Sequence, residues 1–272
     1  MTQDWLGLQG RTCVITGAGG GLGVALAVGF ARAGAQVVLL DRGADPLAQA
    51  AAAVLSAAGV AAITARCDVS DPASVAAAAA ASEAAAGPCD ILVNNAALLR
   101  PGALDAMTLD DWNGLLAVNL NGYFLCAQAF GRQMRGRSGA MVHVASIAGS
   151  HPQGFSGAYS VSKAGIVMLS RQIATEWGPH GIRSNVVSPG LVETPMSAPF
   201  YAAPGVRARR EAVVPAGRIG QPDDIADAAL FLASPRASYI SGDEITVDGG
   251  YTRMLMGLIP RPGFDQPGGA AL

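Results

Sequence analysis

Along most of the chain, short runs of β-branched and other apolar residues alternate with longer, alanine-rich stretches. The short runs, at 12–16, 36–40, 62–66, 91–94, 140–145, 183–188 and 244–247, have the length and composition of buried strands. Between them the pattern predicts helices near 22–33, 45–58, 72–86, 109–135, 157–178 and 223–233. Asp71 before Pro72 supplies an N-cap followed by the residue best tolerated at the first helical position. Pro222-Asp223-Asp224 places proline and negative charge in the first turn of the last helix. Strand-helix repetition implies right-handed crossovers, hence an α/β architecture: a doubly wound, seven-stranded parallel sheet with helices on both faces, three layers in all. No linker or internal repeat divides the chain, so 1–272 reads as a single domain, with the six alanines 76–81 in a scaffold helix. Two stretches break the alternation. Residues 195–221, rich in proline, glycine and arginine, read as a mobile lid. The tail 252–272 carries Met254, Leu255, Met256, Leu258, Ile259 and Phe264, and is too apolar to wave in water.

Composition narrows the partners. Apolar residues make up 51% and charged residues 14%, with a net charge of −2, which describes a compact body and offers no basic patch for nucleic acid. The densest basic group, Arg207, Arg209 and Arg210, reads as a solvated face. The first residues lack a signal-peptide pattern, and no apolar stretch reaches the roughly 20 residues that span a bilayer. A cytoplasmic protein with no membrane partner is expected. Cys13, Cys67, Cys89 and Cys126, like His143, His151 and His180, have no metal-ligand spacing, so no metal is expected and the thiols read as reduced packing residues.

The chain has one lysine, Lys163, against seventeen arginines, and it lies four residues after Tyr159. One helical turn puts both side chains on the same face, where an ammonium favours the phenolate and pulls a phenol's pKa toward neutrality. Such a pair can act in general acid/base chemistry. The first strand runs into Thr16-Gly17-Ala18-Gly19-Gly20-Gly21-Leu22-Gly23 and then a helix, a turn in which backbone N–H groups can approach a pyrophosphate. The chain lacks the Gly-Lys-Ser/Thr of an ATP-type loop. Asp41, closing the second strand, can accept hydrogen bonds from ribose hydroxyls and repels a 2′-phosphate, which favours NAD over NADP. Arg42 pulls weakly the other way, but Gly20 leaves no cation in the turn to assist it.

With the glycine turn, Asp41 and the Tyr/Lys pair in one order, the chain resembles the short-chain dehydrogenase/reductase family over about residues 10–251, through its Thr-Gly-x-x-x-Gly-x-Gly pattern. The resemblance implies a Rossmann fold binding a nicotinamide cofactor at Gly17, Gly20, Gly21, Leu22, Gly23, Asp41, Arg42, Asp68, Val69, Asn95, Ala96, Pro189, Gly190, Val192 and Thr194, together with Tyr159 and Lys163. Asn94-Asn95-Ala96-Ala97 is similar to the family's Asn-Asn-Ala-Gly, with alanine in place of the last glycine. Asn119, Ser146, Tyr159 and Lys163 match its catalytic tetrad, which implies hydride exchange between NAD and a secondary alcohol or its ketone. The implied roles are proton transfer for Tyr159, ribose binding and pKa control for Lys163, substrate oxygen binding for Ser146 and a relay water for Asn119. Leu98, Leu99, His151, Gln153 and Phe155 are the expected substrate contacts, the partner is a small alcohol or ketone, and the assembly a homotetramer. Two alternatives stay open: an NADP-dependent ketoreductase of acyl-carrier type and a non-catalytic NAD-binding sensor.

Overall fold

The structure is a computed structural model and describes residues 4–259. Seven strands, β1 (Thr12–Thr16), β2 (Gln36–Asp41), β3 (Ile63–Arg66), β4 (Ile91–Asn94), β5 (Gly139–Val144), β6 (Ile182–Pro189) and β7 (Glu244–Val247), form one parallel sheet. The spatial order is β3-β2-β1-β4-β5-β6-β7, as expected for a doubly wound sheet. Because successive side chains point to opposite faces, an all-apolar strand feeds two cores. Cys13 and Ile15 of β1 pack with α1 (Gly21–Arg32), α2 (Ala44–Ala58) and, after the lid, α9 (Pro222–Ala233) through Leu26, Phe30, Val54 and Ile225. Val14 turns the other way, toward α3 (Pro72–Ala86), α5 (Gly122–Met134) and α6 (Tyr159–Trp177), where Val75, Cys126, Phe130 and Ile173 meet it.

The helix expected at 109–135 is broken. It comprises α4 (Leu109–Leu116), a π-helical turn at Ala117–Asn121 and then α5. The apolar periodicity runs on through this break, so the sequence pattern alone does not mark it; π turns recur at functional sites, and this one contains Asn119. The helix expected from 157 starts at Tyr159, because Gly157 adopts a positive φ of 59°. Asp71 caps α3 as expected, its carboxylate accepting the Ala73 N–H at 2.9 Å. Residues 195–221 include two short helices, α7 (Ala198–Tyr201) and α8 (Val206–Ala212), with an Arg207–Glu193 ion pair joining α8 to the stretch after β6. The tail begins with short 3-10 turns at Tyr251–Arg253 and Leu255–Leu258, and Phe264 lies outside the described residues.

The crossovers from β1 and β4 leave in opposite directions, so a crevice opens beyond the C-terminal strand ends between them. The glycine turn, Asp41, Asn95, Ser146 and Pro189 all follow or end strands on that side.

Candidate active site

A cavity of about 400 Å³ lies along these loops. At its β1 end Gly17 has a φ of +62°, and a Cβ there would stand 2.6 Å from the Ala96 Cα, so only glycine permits the approach of the β1 and β4 loops. Asn95 locks that approach, donating to the Thr16 and Gly17 carbonyls at 3.1 and 3.0 Å. Gly20, the N-cap of α1, provides no side-chain cap and the first turn has no acidic residue, which leaves the helix's positive end to an anion. Asp41 lines the cavity with its carboxylate fixed by the Gly19 and Gly43 N–H groups, both at 3.1 Å. Asp68 accepts from the Ser70 N–H and hydroxyl at 2.9 and 2.6 Å, and these bonds hold its carboxyl below the usual range. A cradle of backbone donors beside a fixed carboxylate is the donor set that suits a dinucleotide's pyrophosphate and adenosine ribose.

The other end gathers Ser146, Tyr159 and Lys163, all lining the same cavity. Ser146 follows β5 in extended conformation and caps the next turn, accepting the Ala148 N–H at 3.1 Å. That turn can lie against α6 because Gly149 has no Cβ; one would sit 2.9 Å from the Lys163 carbonyl carbon. Lys163 is buried and its Nζ donates to the Val144 carbonyl at 2.9 Å, 5.5 Å from the Tyr159 ring centroid. Burial pushes the ammonium pKa down to about 7. Burial also raises the Tyr159 phenol, against a smaller lowering by the Ser146 hydroxyl. The expected fall in the Tyr159 pKa is therefore not what the surroundings produce: desolvation disfavours charge on both partners.

Asn119 reaches the site from the π turn, where its side chain accepts the Leu98 N–H at 2.7 Å and donates to the Leu98 carbonyl at 2.9 Å and the Ser162 hydroxyl at 3.3 Å. It does not line the cavity itself. It ties the loop after β4 to α6 and so sets where Leu98 stands. Every residue expected at the cofactor lines the cavity: Gly17, Gly20, Gly21, Leu22, Gly23, Asp41, Arg42, Asp68, Val69, Asn95, Ala96, Pro189, Gly190, Val192 and Thr194. Leu98 lines it too, whereas His151, Gln153 and Phe155 are exposed on a loop outside it. Sequence reasoning did not assign Cys67, Ser70, Ala97, Val118, Val144, Ala145, Pro195 and Met196 to the site, and all line the cavity as chain neighbours of expected residues. Among the described residues no cluster of His, Cys, Asp or Glu could hold a metal, and no helix is long and apolar enough to cross a membrane.

Relatives of known name share the sequence and the fold. A family model described as Enoyl-(Acyl carrier protein) reductase matches residues 17–252. Galactitol 2-dehydrogenase (L-tagatose-forming) of Cereibacter sphaeroides is 43% identical over 251 residues, covering 90% of this chain and 96% of that protein. D-threitol dehydrogenase of Mycolicibacterium smegmatis is 41% identical over 246 residues, covering 90% and 94%. A gluconate 5-dehydrogenase from Burkholderia cenocepacia, solved with NADP and tartrate, superposes with a TM-score of 0.86 at 37% identity, covering 92% of this chain and 98% of that one. These similarities support an oxidoreductase acting on CH–OH donors with a nicotinamide cofactor. On sequence and on fold, the chain belongs to the short-chain dehydrogenase/reductase family.

Proposed function

We propose that the protein is an NAD-dependent dehydrogenase that exchanges a hydride reversibly between a secondary alcohol and its ketone, with polyhydroxylated alcohols as the substrate class. The observation that carries this reading is the convergence of Ser146, Tyr159 and Lys163 at one end of a cavity whose other end holds a fixed Asp41 carboxylate. The names of the galactitol and threitol relatives support the substrate class. Bound NAD supplies the hydride acceptor. Tyr159, as phenolate, takes the hydroxyl proton, and Ser146 donates to the substrate oxygen and stabilises the charge that develops there. Lys163, when protonated, would favour the phenolate and would bind the nicotinamide ribose, while Asn119 keeps the Leu98 loop and α6 in register.

The preference for NAD rests on Asp41. Its carboxylate would accept the adenosine ribose hydroxyls and repel a 2′-phosphate, and Arg42, also in the cavity, has no second cation beside it in the glycine turn. The NADP in the gluconate 5-dehydrogenase structure makes this the point to test. We expect kcat/KM for NAD to exceed that for NADP by about 100-fold, and Asp41→Ser to erase most of the difference. Tyr159→Phe should lower turnover by at least about a thousandfold with NAD affinity nearly intact; a fully active variant refutes the acid/base assignment. Assembly as a homotetramer belongs to the same reading and is checked by light scattering, at four times the chain's 27.4 kDa.

A further inference from the structure

Tyr123 is among the largest fully buried side chains described, and no motif or step above uses it. Its hydroxyl donates to the Val144 carbonyl at 2.9 Å, the same oxygen that accepts from Lys163 Nζ at 2.9 Å. The ammonium also lies 5.5 Å from the Tyr123 ring centroid and 5.5 Å from that of Tyr159, lodged between two phenols. The Tyr123 ring is braced from behind by the His143 imidazole, with centroids 6.0 Å apart and 28° between planes. His143 is held in turn by Asn94 Nδ2 and Ser184 Oγ, each at 3.1 Å, and Ser170 lies 2.8 Å beyond Ser184. This bracket fixes a phenol that does not line the cavity.

We propose that Tyr123 is a positioning residue for Lys163, its hydroxyl competing for the Val144 carbonyl and so setting how tightly the protein itself holds the ammonium. A carbonyl oxygen has two lone pairs, but a second donor drawing on it makes it a poorer partner for the first. Val144 therefore binds Lys163 less firmly than an unshared carbonyl does, which leaves the ammonium's remaining N–H groups free to turn toward Tyr159 and the cofactor ribose. The ring acts in the opposite sense, since an aromatic face attracts a cation and keeps it near. The titratable groups facing Lys163 are Tyr159 from its own helix, Tyr123 from α5 and, behind Tyr123, His143 from β5. Burial lowers the His143 pKa to about 4, so it contributes no charge near neutrality. The catalytic consequence rests on the acid/base reading of Lys163; the hydrogen-bond competition does not.

Because Lys163 is the sole lysine, protein grown with 13Cε-labelled lysine gives one lysine Cε resonance, whose pH titration reads this group alone. In Tyr123→Phe, which keeps the ring and removes the competitor, we expect the midpoint to rise by about half a pH unit, roughly threefold in proton affinity. Thr12→Val deletes another buried hydroxyl, bonded to the Ala86 carbonyl at 2.9 Å at the far end of β1, and should lower stability without moving the midpoint. In a Tyr159→Phe background, replacing tyrosine by 3-fluorotyrosine makes Tyr123 a stronger donor with its packing kept, and the midpoint should fall. An unmoved midpoint in Tyr123→Phe, or in the fluorinated protein if that variant does not fold, overturns the proposal, as does an equal shift in Thr12→Val. The titration needs neither substrate nor turnover, so failure of the dehydrogenase reading would appear in the Tyr159→Phe kinetics and not here.

Discussion

Lys163 carries a folding cost that depends on pH. Its folded-state pKa is depressed to about 7 from an ordinary 10.5, because burial disfavours the ammonium. Between those values the unfolded chain binds more protons than the folded one, so stability rises as pH increases from about 7 toward 10.5. Below pH 7 the buried charge must be carried and the cost, on the order of a few kcal/mol, is present in full. Lys163→Met removes it. We therefore expect the melting temperature of Lys163→Met to exceed the wild-type value most at pH 6, and the gap to shrink by pH 9.5; parallel pH curves would contradict the assignment. The spacing of Tyr159 and Lys163 was legible in the sequence because one helical turn fixes it. The direction of the Tyr159 shift was not, since desolvation depends on what surrounds the pair, and Tyr123 and Val144 come from elements distant in the chain.

Between elements, the site depends on how closely the turn after β5 lies against α6. A methyl group at position 149 would stand 2.9 Å from the Lys163 carbonyl carbon and 3.0 Å from the Ala164 nitrogen, both backbone atoms that cannot swing aside. Gly149→Ala should therefore separate Ser146 from Tyr159 and lower kcat/KM by at least about tenfold, because proton transfer and oxyanion support tolerate little displacement. Unchanged kinetics would show that the turn does not set this spacing. Asp71→Ala offers the contrast: it removes the cap of α3 at a residue that does not itself line the cavity, at a cost of about 1 kcal/mol. A fall of roughly 2–4 °C in melting temperature with unaltered kcat/KM is expected, measured by calorimetry alongside steady-state rates. The cap could be read in advance because Asp-Pro acts locally. The π turn at Ala117–Asn121 could not, since the side chain of Asn119 finds its partners in Leu98 and Ser162, far along the chain.

At the scale of the molecule, a dinucleotide held in the cavity would join the loops after β1, β2, β3, β4 and β5 with the end of β6, and so stabilise the folded state as a whole. At 100 times its dissociation constant, NAD should contribute about 2.7 kcal/mol, a rise in melting temperature of roughly 5–10 °C. NADP at the same concentration should give a clearly smaller shift if Asp41 governs the choice; equal shifts would count against NAD preference. The chain by itself determined the strand-helix alternation, the doubly wound parallel sheet and the glycine turn after β1, because periodicity and glycine turns act within a few residues of one another. Tertiary structure decided the break in the long helix, the folding of the lid segment into α7 and α8, the exclusion of His151, Gln153 and Phe155 from the cavity, and the seating of the lone lysine between two tyrosines. Those features arise where separate elements meet, and what a buried group pays or gains there is set by neighbours that sequence order does not name.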